Sequence, residues 1–265
     1  MMRTAQVSTT DRRPNRRILA VSRLILMAAA ILTADTSWAQ KGRPPQSLPV
    51  WTGSGGAGVS ITSGNTDTSN YNLTFDLTHD SASPNLMRWT ALHLRSGQDD
   101  TVTVNRTALG FRDEYTLGTR VFFFGQLDYL RDTFKKIDYL VAPTAGIGYT
   151  VIDNEPTKFA VDVGIGGLWE KNPGLVVGAS GAITAGEQFG HQLNSAVSLT
   201  HAATGLWRMD DLGDSLYTVS VGIAAALAEH LQLTIDLLDS FKNQPPTPEV
   251  LKNDVALVTA VVVTY

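Results

Sequence analysis

From Val50 onward the chain alternates apolar and polar residues in runs of about ten, each run ending in a turn cluster. In 70–78, Tyr71, Leu73, Phe75 and Leu77 oppose Asn70, Asn72, Thr74, Asp76 and Thr78. In 159–169, Phe159, Val161, Val163, Ile165, Gly167 and Trp169 lie on one side, with Lys158, Ala160, Asp162, Gly164 and Gly166 on the other. Leu231, Leu233, Ile235 and Leu237 alternate with Gln232, Thr234 and Asp236 in the same way. Strands of soluble sheets usually run to ~5–6 residues. A tilted strand that crosses a bilayer needs ~9–11. The length of these runs therefore selects an all-β chain able to span a membrane.

The pattern gives about twelve strands, near 50–62, 69–79, 86–96, 101–115, 120–131, 138–151, 158–170, 175–186, 191–203, 215–228, 230–240 and 252–265. An even count suits a transmembrane antiparallel up-and-down β-barrel with both ends on the periplasmic side. In the last run Leu257, Thr259, Val261, Val263 and Tyr265 share one face. This is the expected barrel-closing strand, and Leu257, Val261, Val263 and Tyr265 are its expected assembly signal. Alternate connections should lie outside. Ser63–Ser69, Gly97–Asp100, Asp132–Asp138, Lys171–Gly174, Leu206–Asp214 and Ser240–Leu251 form that set, and the two longest connections are among them. Asp80–Asn85, Leu117–Thr119, Asp153–Thr157, Glu187–Gly190 and Ala228–Glu229 read as the opposite turns. Pro245, Pro246 and Pro248 stiffen the last outer loop, which reads as a rigid connector.

Residues 1–39 read as a signal peptide. Arg12, Arg13, Arg16, Arg17 and Arg23 precede the apolar run Leu24–Leu32, and Ser37-Trp38-Ala39 offers a small-residue cleavage site. The apolar run falls short of the roughly 20 residues that span a bilayer as a helix. Residues 40–49 read as a periplasmic lead-in and 50–265 as the barrel domain. The first 39 residues hold six of the 21 basic and two of the 25 acidic side chains. The remainder carries 15 against 23, a formal −8 that argues against nucleic acid as partner. Cysteine is absent, which removes disulfides and thiolate chemistry.

Asp76, Arg106, Arg112, Glu114, Asp128, Asp162 and Asp236 sit within strands rather than at turns. Charge on a lipid face costs ~2–4 kcal/mol for Arg or Lys at midplane, so these side chains are expected to line the lumen. Paired, they would fill it; spread apart, they would line an aqueous path. The pairing requirement of ionised groups away from water favours the filled lumen. Trp51, Trp89, Trp169, Trp207, Tyr71, Tyr115, Tyr129, Tyr139, Tyr217 and Tyr265 fall toward strand ends, as an aromatic girdle does. The five histidines are scattered, and no GxSxG or HExxH occurs. Asp99-Asp100 and Asp210-Asp211 lack the ligand spacing of a calcium loop. No enzyme, metal or cofactor is expected.

Four pieces carry a family resemblance: Trp51 through Gly58, the turn Ser63-Gly64-Asn65-Thr66, the block FRDEYTLGTRVFFFGQLDYLRDTFKKIDYLVAPTAGIGY at 111–149, and the closing FKNQPPTPEVLKNDVALVTAVVVTY. In order and spacing they resemble the salt-induced outer membrane protein family of Gram-negative bacteria. The closing aromatic is tyrosine here, where that family often has phenylalanine. The resemblance implies a signal peptide and an outer-membrane β-barrel, with no substrate or catalytic residue attached. The expected role is a structural or narrow-pore envelope protein, linked to salt or osmotic stress through the family alone. The rivals are a small-solute channel, a lipid-modifying barrel enzyme and a soluble secreted sandwich. The expected partners are outer-membrane lipid and lipopolysaccharide, with the barrel-assembly machinery during biogenesis.

Overall fold

The computed structural model describes residues 50–63, 68–81, 84–98 and 101–265. The expected signal peptide, the lead-in, the loop tip 64–67 and the Asp99-Asp100 pair lie outside them.

Twelve strands follow in order: β1 (Val50–Ser63), β2 (Thr68–Asp80), β3 (Asn85–Gln98), β4 (Thr101–Leu117), β5 (Val121–Asp132), β6 (Ile137–Asp153), β7 (Thr157–Lys171), β8 (Gly178–Gln192), β9 (Val197–Arg208), β10 (Ser215–Ala228), β11 (Leu231–Lys242) and β12 (Asn253–Thr264). Each pairs antiparallel with its neighbour in the chain, and β1 pairs with β12 from Ser54↔Thr264 to Ser63↔Val255. The sheet is a closed barrel. Closure leaves no edge of unpaired backbone groups, the condition for a β-structure in hydrocarbon. A single closed wall also excludes the two-layer sandwich.

The period-two pattern sorts side chains between the two faces of this wall. Val163 and Ile165 are 57% and 65% exposed on the outside, whereas Asn72 and Thr200 inside are 1% and 3% exposed. Exposed apolar residues on this scale need lipid rather than water around them. Aromatic rings bound the belt at both ends. Trp51 stacks on Trp89 at 5.8 Å and Trp89 meets Phe111 at 5.3 Å, on positions brought side by side by the register. At the other end Trp207 Nε1 donates to the Tyr217 hydroxyl (3.0 Å), and Tyr217 contacts Phe241 at 6.1 Å.

The two ends differ. The strands at the end where β1 begins and β12 stops are joined through 81–84, 118–120, 154–156, 193–196 and 229–230; we term it the turn end. The loop end carries 133–136, 172–177, 209–214 and the longest connection, 243–252.

One turn departs from the sequence reading. Glu187–Gly190 lies inside β8, which runs to Gln192, and the turn falls at 193–196. Gly190 looks like a turn glycine, but it pairs with Lys158 on β7. Asn194 makes the actual turn: its Oδ1 accepts from the backbone N–H groups of Ala196 (2.9 Å) and Val197 (3.0 Å). β8 and β9 are accordingly displaced toward higher residue numbers.

A sealed lumen as candidate functional site

Eight-stranded barrels fill with side chains and sixteen-stranded ones leave a channel, so twelve strands leave the outcome to side-chain size. Here bulky residues fill part of the lumen and leave a cavity of about 610 Å³. The cavity reaches Val50, Thr52, Asp80 and Asp153 at the turn end. Lys158 and Asp153 form an ion pair on that rim. Toward the loop end the cavity stops at Leu130, Leu140, Leu206 and Leu216.

Those leucines belong to an apolar septum. Leu130, Ile137, Leu140, Ala142, Leu168, Ala182 and Leu216 pack together beneath the loop end, with Leu206 against them. A second cluster, Leu92 and Leu94 of β3 with Ala256 and Val258 of β12, packs on the other side of the lumen. Gly56 and Gly58 lie on β1 between these strands and present no side chain to the lumen.

Above the septum, the connection 133–136 folds inward. Phe134 and Lys135 are 3% and 0% exposed. Asp132 Oδ1 accepts from the N–H groups of Phe134 (2.8 Å) and Lys135 (3.4 Å), and Lys136 takes a left-handed φ of 53° to turn the chain back. Lys135 Nζ lies 2.7 Å from Asp254 Oδ2 and donates to the Lys252 carbonyl at 2.7 Å. Burial pushes the Lys135 amine down from its usual value, opposed by the Asp254 charge. The proline-bearing loop 243–252 is thus more than a connector. Val250 is 6% exposed and Lys252 supplies the carbonyl that holds Lys135, so the loop completes the lid.

More ion pairs brace the lid. Lys242 reaches Glu170 and Asp214, each at 3.0 Å, and Arg208 reaches Asp210 at 3.0 Å. Hydrogen bonds from Arg208 and Ser180 hold the exposed Asp210 carboxyl at about 2. That clasp is therefore complete above the ordinary carboxylate range and is lost only as pH falls through about 2.

The seven charged candidates all occupy inward positions of the wall, but they do not form one site. Arg112, Glu114, Asp128 and Asp162 share a network near mid-lumen. Arg112 Nε donates to Glu114 (2.6 Å), Nη1 to Gln126 (2.6 Å) and Nη2 to Asp162 (2.9 Å); Gln126 Nε2 donates to Asp128 (2.6 Å). The guanidinium lies 4.0 Å from the Phe124 ring centroid. Both Phe122 and Phe124 lie inside because Gly148 and Gly164 leave room: a Cβ on Gly148 would fall on the Phe122 ring, and one on Gly164 would lie 2.9 Å from Phe124 Cζ. Arg106 lies nearer the loop end, wholly buried. Its Nη1 is 2.9 Å from Asp132 Oδ2 but out of line for a hydrogen bond, so this contact is ionic only. Asp76 of β2 sits opposite Thr90 of β3, and Asp236 of β11 sits opposite Gly222 of β10.

Sequence reasoning missed the septum and the lid. Parity could have given the septum, since Leu130 follows Gln126 and Asp128 on the inward face. The lid had no signal, because Thr133–Lys136 reads as a solvated turn.

A further acid–base pair lies on the outer wall. Extending β8 places Glu187 outward, where its Oε1 is 2.9 Å from His201 Nε2. His201 Nδ1 faces the Ser220 carbonyl at 2.9 Å; a carbonyl only accepts, so Nδ1 carries a proton. The outward neighbours by register, Ala185, Phe189, Leu199, Ala203 and Val221, offer no hydroxyl for nucleophilic chemistry. Among the described residues no group of three or more His, Asp or Glu side chains is arranged to hold a metal.

The fold is that of outer-membrane barrels. The NanC porin superposes with a TM-score of 0.53 at 7% identity, over 82% of this chain and all of that one. The COG4313 outer membrane channel of Pseudomonas putida F1 superposes with a TM-score of 0.51 at 14% identity, over 85% of this chain and all of that one. Identity this low carries the fold and nothing finer. No curated protein matches the chain by sequence. The family model described as protein of unknown function DUF481 matches residues 55–265, nearly the whole barrel, and the chain belongs to that family.

Proposed function

We propose that this protein is a narrow outer-membrane conduit held shut at its extracellular end. The orientation follows from the connections: barrels place short turns in the periplasm and longer loops outside. The supporting observation is the asymmetry of the lumen. A cavity of about 610 Å³ extends from the turn-end rim, while septum and lid close the loop end. A structural barrel has no need of such a cavity, and an open porin has no need of a lid.

Planar-bilayer recording tests the reading. The wild-type barrel should show rare, brief openings. A Lys135→Ala variant, with Leu140→Ser and Leu216→Ser to wet the septum, should raise open time at least about tenfold, since hydrophobic constrictions gate by dewetting. Silence from both proteins would make the barrel a filled structural element. The link to salt or osmotic stress rests on the resemblance alone, and growth of a deletion strain across a salt range tests it.

A further inference from the structure

The cavity has a chemical character of its own. Its wall is largely apolar, with Phe122 near the turn end and Leu130, Leu140, Leu206 and Leu216 at the septum turned inward, whereas water-filled porin lumens are polar. The same lining carries Arg88, Arg106, Arg112 and Lys158 against Asp80, Glu114, Asp128, Asp153, Asp162 and Glu187, with Lys158 paired to Asp153 at the rim and the Glu187 carboxylate turned outward to His201. Arg112 is committed to Glu114 and Asp162, and Arg106 to Asp132. An entering ion of either sign would trade its hydration for a largely apolar wall.

Several buried polar atoms of this lining nevertheless have no hydrogen-bond partner among the described residues: Arg106 Nε and Nη2, Thr90 Oγ1, Thr184 Oγ1 and Asp128 Oδ1. Arg106 is fully buried and Thr90 is 8% exposed. Buried polar groups in folded proteins find partners, so these side chains, which line the cavity, would gain by turning toward an occupant. They include donors (the Arg106 N–H groups), an acceptor (Asp128 Oδ1) and hydroxyls that serve as either.

We infer that the cavity is a binding site for one neutral amphiphilic small molecule, with an apolar body against the leucine and phenylalanine wall and hydroxyl groups on Thr90, Thr184, Asp128 and Arg106. Its volume lies in the ~300–1,000 Å³ range of small-molecule sites. The assignment rests on the proposed function only in taking the turn end as the open one.

Calorimetry on the full barrel in lipid nanodiscs tests it, with heats of partitioning into protein-free nanodiscs subtracted. The probe is 4-propylphenol, compared with 4-propylbenzoate and 4-propylbenzylammonium. The phenol should bind saturably with one-to-one stoichiometry, about tenfold or more tighter than either charged analogue, because either ion would lose its hydration against the apolar wall. Ala202→Trp, which fills the cavity from β9, should weaken binding by at least about tenfold, as overpacked space excludes the ligand. Thr184→Val adds no bulk and removes one hydroxyl partner, so it should weaken binding by about fivefold. Heat no greater than partitioning, equal binding of the ions, or unchanged affinity in folded Ala202→Trp or in Thr184→Val would overturn the site. Calorimetry reads the site and current reads the conduit, so the two fail separately. Binding without current leaves the site and removes the conduit, and current without binding does the reverse.

Discussion

Gly58→Ala should leave almost no folded barrel, while Gly55→Ala on the same strand should fold as the wild type does. Gly58 faces inward on β1 opposite Ala260 of β12. A Cβ there would collide with the Thr259 carbonyl oxygen and lie 2.6 Å from Ala260 Cα. Both obstacles are backbone of the neighbouring strand, so no rotamer change relieves them. The β1–β12 seam itself must part. A Cβ on Gly55 meets nothing within 4 Å. Core overpacking costs ~1–3 kcal/mol where side chains can adjust, and a backbone collision belongs at or beyond the top of that range. Refolded samples run with and without heating on denaturing gels report the folded fraction. A Gly58→Ala barrel that folds at wild-type yield would show that the seam is looser than its geometry.

Arg112→Ala should be the most destabilising single change in the lumen away from the seam. The guanidinium is 11% exposed and holds Glu114 and Asp162, which are 7% and 10% exposed. Removing it strands two carboxylates in a poorly hydrated wall and exposes the face of Phe124. Breaking a buried ion pair costs ~3–5 kcal/mol, far more than forming it contributes. The triple variant Arg112→Met, Glu114→Gln, Asp162→Asn should recover most of that loss, because no unpaired charge is left behind. Arg112→Lys should recover little, since an ammonium cannot serve three acceptors in one plane and stack on a ring. Thermal melts followed by circular dichroism give the ranking. A triple variant less stable than Arg112→Ala would mean that the network contributes stability beyond charge balance.

Much of this architecture was legible in the sequence because alternation and strand length are local properties. Tyr71 to Leu77 and Phe159 to Trp169 announce their faces without reference to any other strand. β8 was misread for a physical reason. Glu187 and Gly190 are turn formers by type, but Gly190 lies on the lumen side, where β7 approaches, and Glu187 is carried outward by an acid–base contact with His201. Inward charges could be named one at a time. Their partners could not, since Arg112 and Asp162 are 50 residues apart and meet only through register. The lid was least accessible of all, because it joins the connection after β5 to the one before β12.

That last junction bears on how the barrel is made. The Lys135 ammonium finds its anion and its carbonyl on a stretch 117 residues later in sequence. A chain lacking its twelfth strand has no Asp254 to pair with this lysine. The septum, built from β5 to β10, can form earlier, but the lid locks only once the cylinder is complete. The fold times its own shutting by the order in which its strands arrive.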